Sequence, residues 1–368
     1  MARLGPPYRV FVVDDSRTIR RLISAIVEET DGLMLAGTAE SAEEAWDVLR
    51  QPGVDVDVVS LDIELPGMNG IEFLKKLMGV RPLPVLVVSG HTDSAADMTL
   101  QALENGAIDC IQKPDGRPSE IDRFLSETAA GLLRAATSNH RMRAPAPAAQ
   151  HPSPVARAAA ASAGFDADSL ICIGASTGGV PAVCKVVQGL HSAACPIVVV
   201  QHMPPTFTAR LATRLAQTTG LPSHEAQDGQ RLTAGSVWVA PGGSHLRVEH
   251  RGGGYVARLS DEAAVSGHKP SIDVLFRSAS VEAGGRAVGV ILTGMGRDGA
   301  DGLLAMRRAG ATTFAQDEAT CVVYGMPKAA VQLGAVDQVL ALDRIADAVL
   351  GVPGGRGRMA RTMGAHNG

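Results

Sequence analysis

Val10-Phe11-Val12-Val13-Asp14-Asp15 sets four apolar residues directly before two carboxylates. An apolar run of this kind reads as a strand buried on both faces, and the charges mark where it leaves the core. The same pattern recurs outward from it. Apolar runs at Leu33–Ala36, Val56–Leu61, Val85–Val88 and Ile108–Ile111 alternate with helical periodicities near 17–29, 41–50, 70–79, 95–105 and 118–135. Five βα units predict a doubly wound parallel sheet whose functional edge lies at the strand C-termini. Asp14 and Asp15 follow the first strand, Asp62 ends the third, Ser89 ends the fourth and Lys113 follows the fifth. Three carboxylates at one edge repel one another unless a cation joins them, and hard oxygen donors suit Mg²⁺. With a hydroxyl and an ammonium beside them, they form a site for a phosphoryl group, Asp62 being the acceptor. Aspartate as an ordinary helix cap explains any one of these positions. It does not explain five of them at the ends of four strands.

This set, together with the LDIELPGMNG run at 61–70, resembles the two-component receiver family from Arg9 to about Arg134. The resemblance implies a flavodoxin-like five-stranded sheet and phosphotransfer to Asp62 from a histidine kinase. It also implies Mg²⁺ held by Asp14, Asp15, Asp62 and the backbone carbonyl of Glu64, with Ser89 and Lys113 as switch residues. Receivers usually carry an aromatic residue three positions before the lysine; here that position is Cys110. The aromatic relay is therefore expected to be altered. No helix-turn-helix pattern or basic recognition helix follows, which disfavours a transcriptional output.

A chain of 368 residues exceeds one ordinary core, so two domains are expected. Net charge is −4 and aromatics are only 3%, which argues against nucleic-acid binding. Cys110, Cys172, Cys184, Cys195 and Cys321 show no metal-ligand spacing and are expected to be free thiols in a reducing compartment. The first residues hold no signal-type apolar core, and no stretch approaches the ~18 apolar residues of a membrane span. A cytoplasmic protein without membrane insertion is the expectation. The periodicity divides the chain into a first domain over 1–135, an Ala/Pro-rich linker over 136–168, a second domain over 169–352 and a Gly/Arg-rich tail over 353–368 expected to be disordered.

The second domain again reads as doubly wound α/β. Strand candidates are Leu170–Ile173, Ile197–Val200, Val237–Ala240 and Ala287–Leu292, with shorter ones at Leu246–Val248 and Tyr255–Leu259. Helical stretches fall near 180–190, 206–219, 271–283 and 299–309. Ser176 lies in Gly174-Ala175-Ser176-Thr177-Gly178-Gly179, between a strand and a helix, where small neighbours allow a sharp turn that exposes the hydroxyl. The same loop could cradle a phosphate. His202 ends the next strand, and Asp298 follows another. A serine needs a neighbouring base, and the imidazole needs a carboxylate to fix its tautomer. His245 and His268 are rival bases; Asp301 and Asp317 are rival acids. Asp261, Asp273 or Asp298 as acid followed by histidine, the usual α/β-hydrolase order, leaves only His268 or the tail residue His366 as base.

GASTGG, QHMP, APGGSHL, GHKPSIDVLF, LTGMGRDG and YGMPKAA occur in that order between Ser169 and Leu350. Together they resemble the catalytic domain of the CheB-type methylesterases. The resemblance implies a Ser176–His202–Asp298 triad, with Thr177 and Met295 placing the substrate and oxyanion. It implies hydrolysis of glutamate methyl esters, and deamidation of glutamines, on methyl-accepting chemoreceptors, without a metal for the hydrolysis. Two rivals remain open at this point: a receiver-gated esterase for a small metabolite, and a non-catalytic phosphate sink or adaptor.

Overall fold

The computed structural model describes residues 7–138, 165, 168–191 and 193–352. Most of the Ala/Pro-rich segment and all of the 353–368 tail lie outside those residues. The chain divides into two compact units, residues 1–147 and 148–368.

In the first unit, β1 (Tyr8–Val13), β2 (Leu33–Ala39), β3 (Val58–Asp62), β4 (Val85–Ser89) and β5 (Asp109–Gln112) alternate with α1 (Arg17–Glu29), α2 (Ala42–Leu49), α3 (Gly70–Val80), α4 (Asp93–Glu104) and α5 (Pro118–Thr137). The sheet is parallel, in the order β2-β1-β3-β4-β5. Polar residues start the helices: Ser16, Ser41, Asn69 and Thr92 each accept a backbone N–H of the turn that follows, each such cap being worth about 1 kcal/mol. Two boundaries differ from expectation. The third strand begins at Val58 rather than Val56, because the Asp57 carboxylate accepts the Arg9 N–H at 2.8 Å. Helix α5 continues to Thr137, past the expected boundary at 135, on the good helix formers Arg134-Ala135-Ala136.

The second unit contains β6 (Leu170–Ala175), α6 (Gly179–Gly189), β7 (Ile197–Gln201), α7 (Pro205–Thr219), β8 (Ser223–Glu225), β9 (Arg231–Leu232), β10 (Val237–Val239), β11 (His245–His250), β12 (Tyr255–Ser260) and α8 (Ile272–Glu282). There follow β13 (Ala287–Ile291), α9 (Ala300–Arg308), β14 (Thr312–Gln316), α10 (Met326–Gln332), β15 (Gln338–Leu340) and α11 (Leu342–Leu350). Seven parallel strands run in the order β15-β14-β13-β6-β7-β10-β8. The doubly wound expectation is therefore met, with one addition. Strands β11, β12 and β9 form a separate antiparallel sheet that packs Leu246, Val248, Tyr255 and Ala257 into a common core with Ile272, Leu275 and Phe276 of α8.

Strand β14, TTFAQ, escaped the sequence reading because it is polar yet wholly buried. Its polar groups have partners: Thr313 Oγ1 donates to Asp337 at 3.1 Å, and Gln316 Oε1 accepts the Thr293 N–H at 2.8 Å. That pairing offsets the desolvation that otherwise keeps such residues outside. Short strands β8, β9 and β15 and helices α10 and α11 were likewise not anticipated. Just before β6, the Asp168 carbonyl accepts the Tyr255 hydroxyl at 2.7 Å.

In each unit the first strand has neighbours reached by crossovers in opposite directions: β1 lies between β2 and β3, and β6 between β7 and β13. Such a reversal opens a crevice at the strand C-termini. Both candidate sites sit there.

Candidate functional site

At the end of the first unit's sheet, Val13 pairs in register with Leu61, so Asp14 and Asp62 leave the core side by side. The carboxylate oxygens of Asp14, Asp15 and Asp62 lie within 4.8 Å of one another. Lys113 Nζ is 2.6 Å from Asp62 Oδ2 and 2.9 Å from Asp14 Oδ2. The remaining Asp62 oxygen accepts the Glu64 N–H at 2.9 Å. Burial pushes the Asp14 carboxyl up to about 6; Lys113 opposes this, and the Asp62 charge reinforces it. Burial also works to discharge Lys113, but the two carboxylates overcome it and hold the ammonium above its usual range. Asp14 Oδ2, though beside the ammonium, is buried without a well-aligned hydrogen bond. One cation for three carboxylates, with an under-coordinated buried oxygen among them, fits a divalent metal with oxygen ligands. Ser89 is at the same strand edge, but its hydroxyl is engaged by α4, accepting from Thr99 Oγ1 at 2.7 Å. Cys110 is buried on β5, and burial raises its thiol well above the ordinary value.

In the second unit the same logic acts on β6 and β7. Ala175 pairs with Gln201, so Ser176 and His202 step off adjacent strands together. The His202 N–H binds the Ala175 carbonyl at 3.1 Å, extending the pairing by one residue. Gly178 has φ +72°, and a side chain there would strike Val322, so glycine permits the turn from Ser176 into α6. Gly294 is also required: a Cβ would come within 2.7 Å of Ser176 Cβ and 2.5 Å of Met326 Sδ. This close approach brings the 293–298 loop over the serine.

That loop carries Asp298. Its carboxylate is buried at the N-terminus of α8, where it accepts Ser271 Oγ–H and Ile272 N–H at 2.7 Å each, and Asp273 N–H at 3.2 Å. His202 Nε2 lies 2.8 Å from Oδ2. Burial works to raise the Asp298 carboxyl, but the His202 bond and charge, Ser271 and the helix N–H groups prevail and hold it below its usual value. An ionised carboxylate fixes Nε2 as the protonated nitrogen of neutral His202. The other nitrogen, Nδ1, is buried and has no hydrogen-bond partner. It is the atom able to take a proton. Ser176 is half-buried beside this edge.

The rivals are occupied elsewhere. His245 is fully buried and bonded through both ring nitrogens. Asp273 accepts the Gly302 N–H at 2.7 Å, Asp301 pairs with Arg297 at 2.9 Å, and Asp317 caps the turn to Thr320. Asp261 is exposed and pairs with Lys269. His268 is the exception: its ring stacks on His202, with centroids 3.7 Å apart and planes 12° from parallel. Thr177 is buried beside Ser176, its carbonyl accepting Thr293 Oγ1–H at 3.0 Å, while Met295 is 51% exposed at the loop surface. Gln201 was not anticipated; its Nε2 reaches the carbonyls of Ser176 at 2.9 Å and His202 at 3.1 Å. Its position last in β7, directly before the histidine, was the available signal.

The first edge thus gathers three carboxylates and a lysine, and the second gathers serine, histidine and aspartate at strand ends. The CheB methylesterase family model matches residues 171–349, and that of the response regulator receiver domain matches residues 10–123. The chain is 46% identical over 345 residues to protein-glutamate methylesterase/protein-glutamine glutaminase 2 of Pseudomonas aeruginosa, covering 94% of this chain and 96% of the relative. It is 46% identical over 349 residues to the corresponding protein 1 of Caulobacter vibrioides, with 95% and 98% covered. The CheB methylesterase catalytic domain of Thermotoga maritima, known from a crystal structure, is 37% identical with TM-score 0.48, covering 50% of this chain and 97% of that one. The chain belongs to the CheB family of protein-glutamate methylesterases/protein-glutamine glutaminases.

Proposed function

We propose that the protein removes methyl groups from glutamate γ-methyl esters on the cytoplasmic helices of chemoreceptors, and deamidates selected glutamines there, under control of phosphorylation at Asp62. Ser176 is the nucleophile, His202 the base and Asp298 the group that orients the base. The observation that carries this reading is the Asp298 carboxylate, anchored on α8 and bonded to His202 Nε2 at 2.8 Å, one strand from Ser176.

The Ser176 hydroxyl proton passes to His202 Nδ1 as Oγ attacks the γ-carbonyl carbon. The bond to the methoxy oxygen then breaks, and His202 returns the proton to it, releasing methanol. Water attacks the resulting acyl-serine with one proton going to Nδ1. His202 passes that proton to Ser176 as the acyl bond breaks, and the glutamic acid product loses its remaining water-derived proton to solvent to depart as carboxylate. With a glutamine substrate the leaving group is ammonia. The imidazolium formed in each half-reaction is stabilised by Asp298. Thr177 and Met295 flank the site that holds the carbonyl and its developing charge. Asp261, Asp273, Asp301 and Asp317 take no part.

In the receiver, spanning 1–135, Asp14, Asp15, Asp62 and the Glu64 carbonyl would hold Mg²⁺, which would supply positive charge beside the entering phosphoryl group. Lys113 pairs with Asp62 and would partly offset the charge of its phosphorylated form, and Ser89 supplies a hydroxyl once it leaves Thr99. A histidine kinase is the phosphodonor, and the protein acts in the cytoplasm; among the described residues no helix is long and apolar enough to cross a membrane. Control passes to the 169–352 hydrolase through the 136–168 linker.

The test is mass spectrometry of methylated receptor fragments incubated with the full chain, with and without a small phosphodonor. Loss of one CH₂ per modified glutamate, faster with phosphodonor and absent in Ser176→Ala, is the expected result. Turnover of small esters with untouched receptor fragments would overturn the substrate; no hydrolysis of either would overturn the enzyme.

A further inference from the structure

We propose that His245 and Ser271 are positioning residues of the hydrolytic centre, joined to His202 through a buried chain of hydrogen bonds. The inference rests on the hydrolase reading above and adds residues that lie outside the triad. Ser271 and Asp298 are buried, and His245 has no exposure at all.

The chain can be read atom by atom. His245 Nε2 lies 3.0 Å from the Ala263 carbonyl, which can only accept, so Nε2 carries the proton. His245 Nδ1 lies 3.1 Å from the Ser271 N–H, which can only donate, so Nδ1 is bare. One neutral tautomer satisfies both ends. A protonated ring would set N–H against N–H in the core. Ser271 stands at the N-cap of α8 but makes no side-chain cap to its own helix. Its hydroxyl is given to Asp298 Oδ1 at 2.7 Å, and Asp298 takes over the cap by accepting the Ile272 and Asp273 N–H groups.

The consequence is geometric. Oδ1 is held by Ser271 and, at a longer 3.2 Å, by Asp273; Oδ2 is shared by Ile272 and His202. Without the Ser271 hydroxyl only the long bond holds Oδ1, and the carboxylate can rotate away from His202 Nε2. His245 acts one step further out, fixing the backbone that aims the hydroxyl and tying it to the 263 segment that leads to His268. The other charged or titratable groups near this chain are Asp273 and Arg277 on α8, His268 on the His202 face, Asp261 with Lys269, and Glu262 with Arg247 beside His245.

The experiment measures kcat, KM and the pH–rate profile of the full chain on a peptide bearing a glutamate γ-methyl ester. Ser271→Ala should lower kcat about tenfold, or about 1.4 kcal/mol, with KM unchanged. With Oδ1 released, the carboxylate holds the imidazolium less well, and the acid limb should move to lower pH. A purely structural serine would leave that limb in place. His245→Asn keeps an acceptor at the Nδ1 position and should retain most of kcat. His245→Phe should resemble Ser271→Ala, and the double variant should lose little more, since both act through one chain. A folded Ser271→Ala with unchanged kcat and acid limb overturns the proposal. Nitrogen NMR of the wild-type ring gives an independent reading should His245→Phe not fold: a neutral Nε2–H tautomer is expected, and an Nδ1–H or protonated His245 at neutral pH overturns it. Ser176→Ala separates the two levels. If it stays active the hydrolase reading fails; if it is inactive while Ser271→Ala is unaffected, only the positioning inference fails.

Discussion

Replacing Asp298 with asparagine keeps the size of the side chain and removes its charge. The carboxylate receives donors from Ser271, Ile272, Asp273 and His202 on its two oxygens. An amide has only one oxygen. If its NH₂ takes the Oδ2 position, it meets the Ile272 N–H and also forces His202 Nε2 to accept. The ring proton then moves to Nδ1, which can no longer serve as the proposed acceptor of the Ser176 proton. If the NH₂ takes the Oδ1 position, it opposes the Asp273 N–H, and His202 keeps its tautomer without an anion to stabilise its cation. Either orientation disables the base. A wrong tautomer in such a triad costs about 10⁴ in kcat, or roughly 5 kcal/mol of transition-state stabilisation. Loss of the anion at the start of α8 should cost a further ~1 kcal/mol of folding stability. The assay is methanol release from a methylated receptor-helix peptide, with circular dichroism to confirm folding and denaturant melts for stability. A folded Asp298→Asn protein within tenfold of the wild-type kcat would refute the argument.

Removing the His268 ring with His268→Ala should cost far less in kcat than His202→Gln, because His268 stacks on the proposed base, whereas His202 itself bonds Asp298; the reverse order in steady-state rates would make His268 the base. Asp62→Asn should abolish the rise in demethylation caused by phosphodonor and Mg²⁺, and a surviving response would remove Asp62 as the switch. Mg²⁺ at ten times its dissociation constant should stabilise the receiver by about 1.4 kcal/mol, seen as a higher melting temperature in the wild type and lost in Asp14→Asn. Asp298 ionises more readily in the folded protein than in the unfolded one, so its contribution to stability is complete above the ordinary carboxylate value of about 3.9 and disappears as pH falls through the lower folded value. The stability gap between wild type and Asp298→Asn should therefore narrow below about pH 4 in urea titrations; a gap that persisted unchanged at lower pH would count against an ionised Asp298.

Much of this molecule is legible in its sequence. Runs such as Val10–Val13 and Ile197–Val200 are short, rich in β-branched and aromatic residues and followed by polar residues, which suits strands of a sheet covered on both faces. Polar residues placed immediately after such runs fall on the same edge of their own sheet by topology alone, so Asp14 could be grouped with Asp62, and separately Ser176 with His202, from order and spacing. Strand β14 was hidden for the opposite reason. Its threonines and glutamine enter the core only because Asp337 and Thr293, distant in sequence, satisfy them. Sequence order likewise left His245, His268 and His202 as candidate bases. What separates them is which ring nitrogen meets which donor or acceptor: His245 is held at both ends, His268 stacks, and His202 keeps one nitrogen bonded to Asp298 and the other without a partner. Local sequence determines which segments form strands and where each reactive side chain leaves them, because periodicity and turn chemistry act over a few residues. Tautomer, ionisation and the support of Asp298 by Ser271 arise between residues 26 to 96 positions apart, and only the packed tertiary structure decides them.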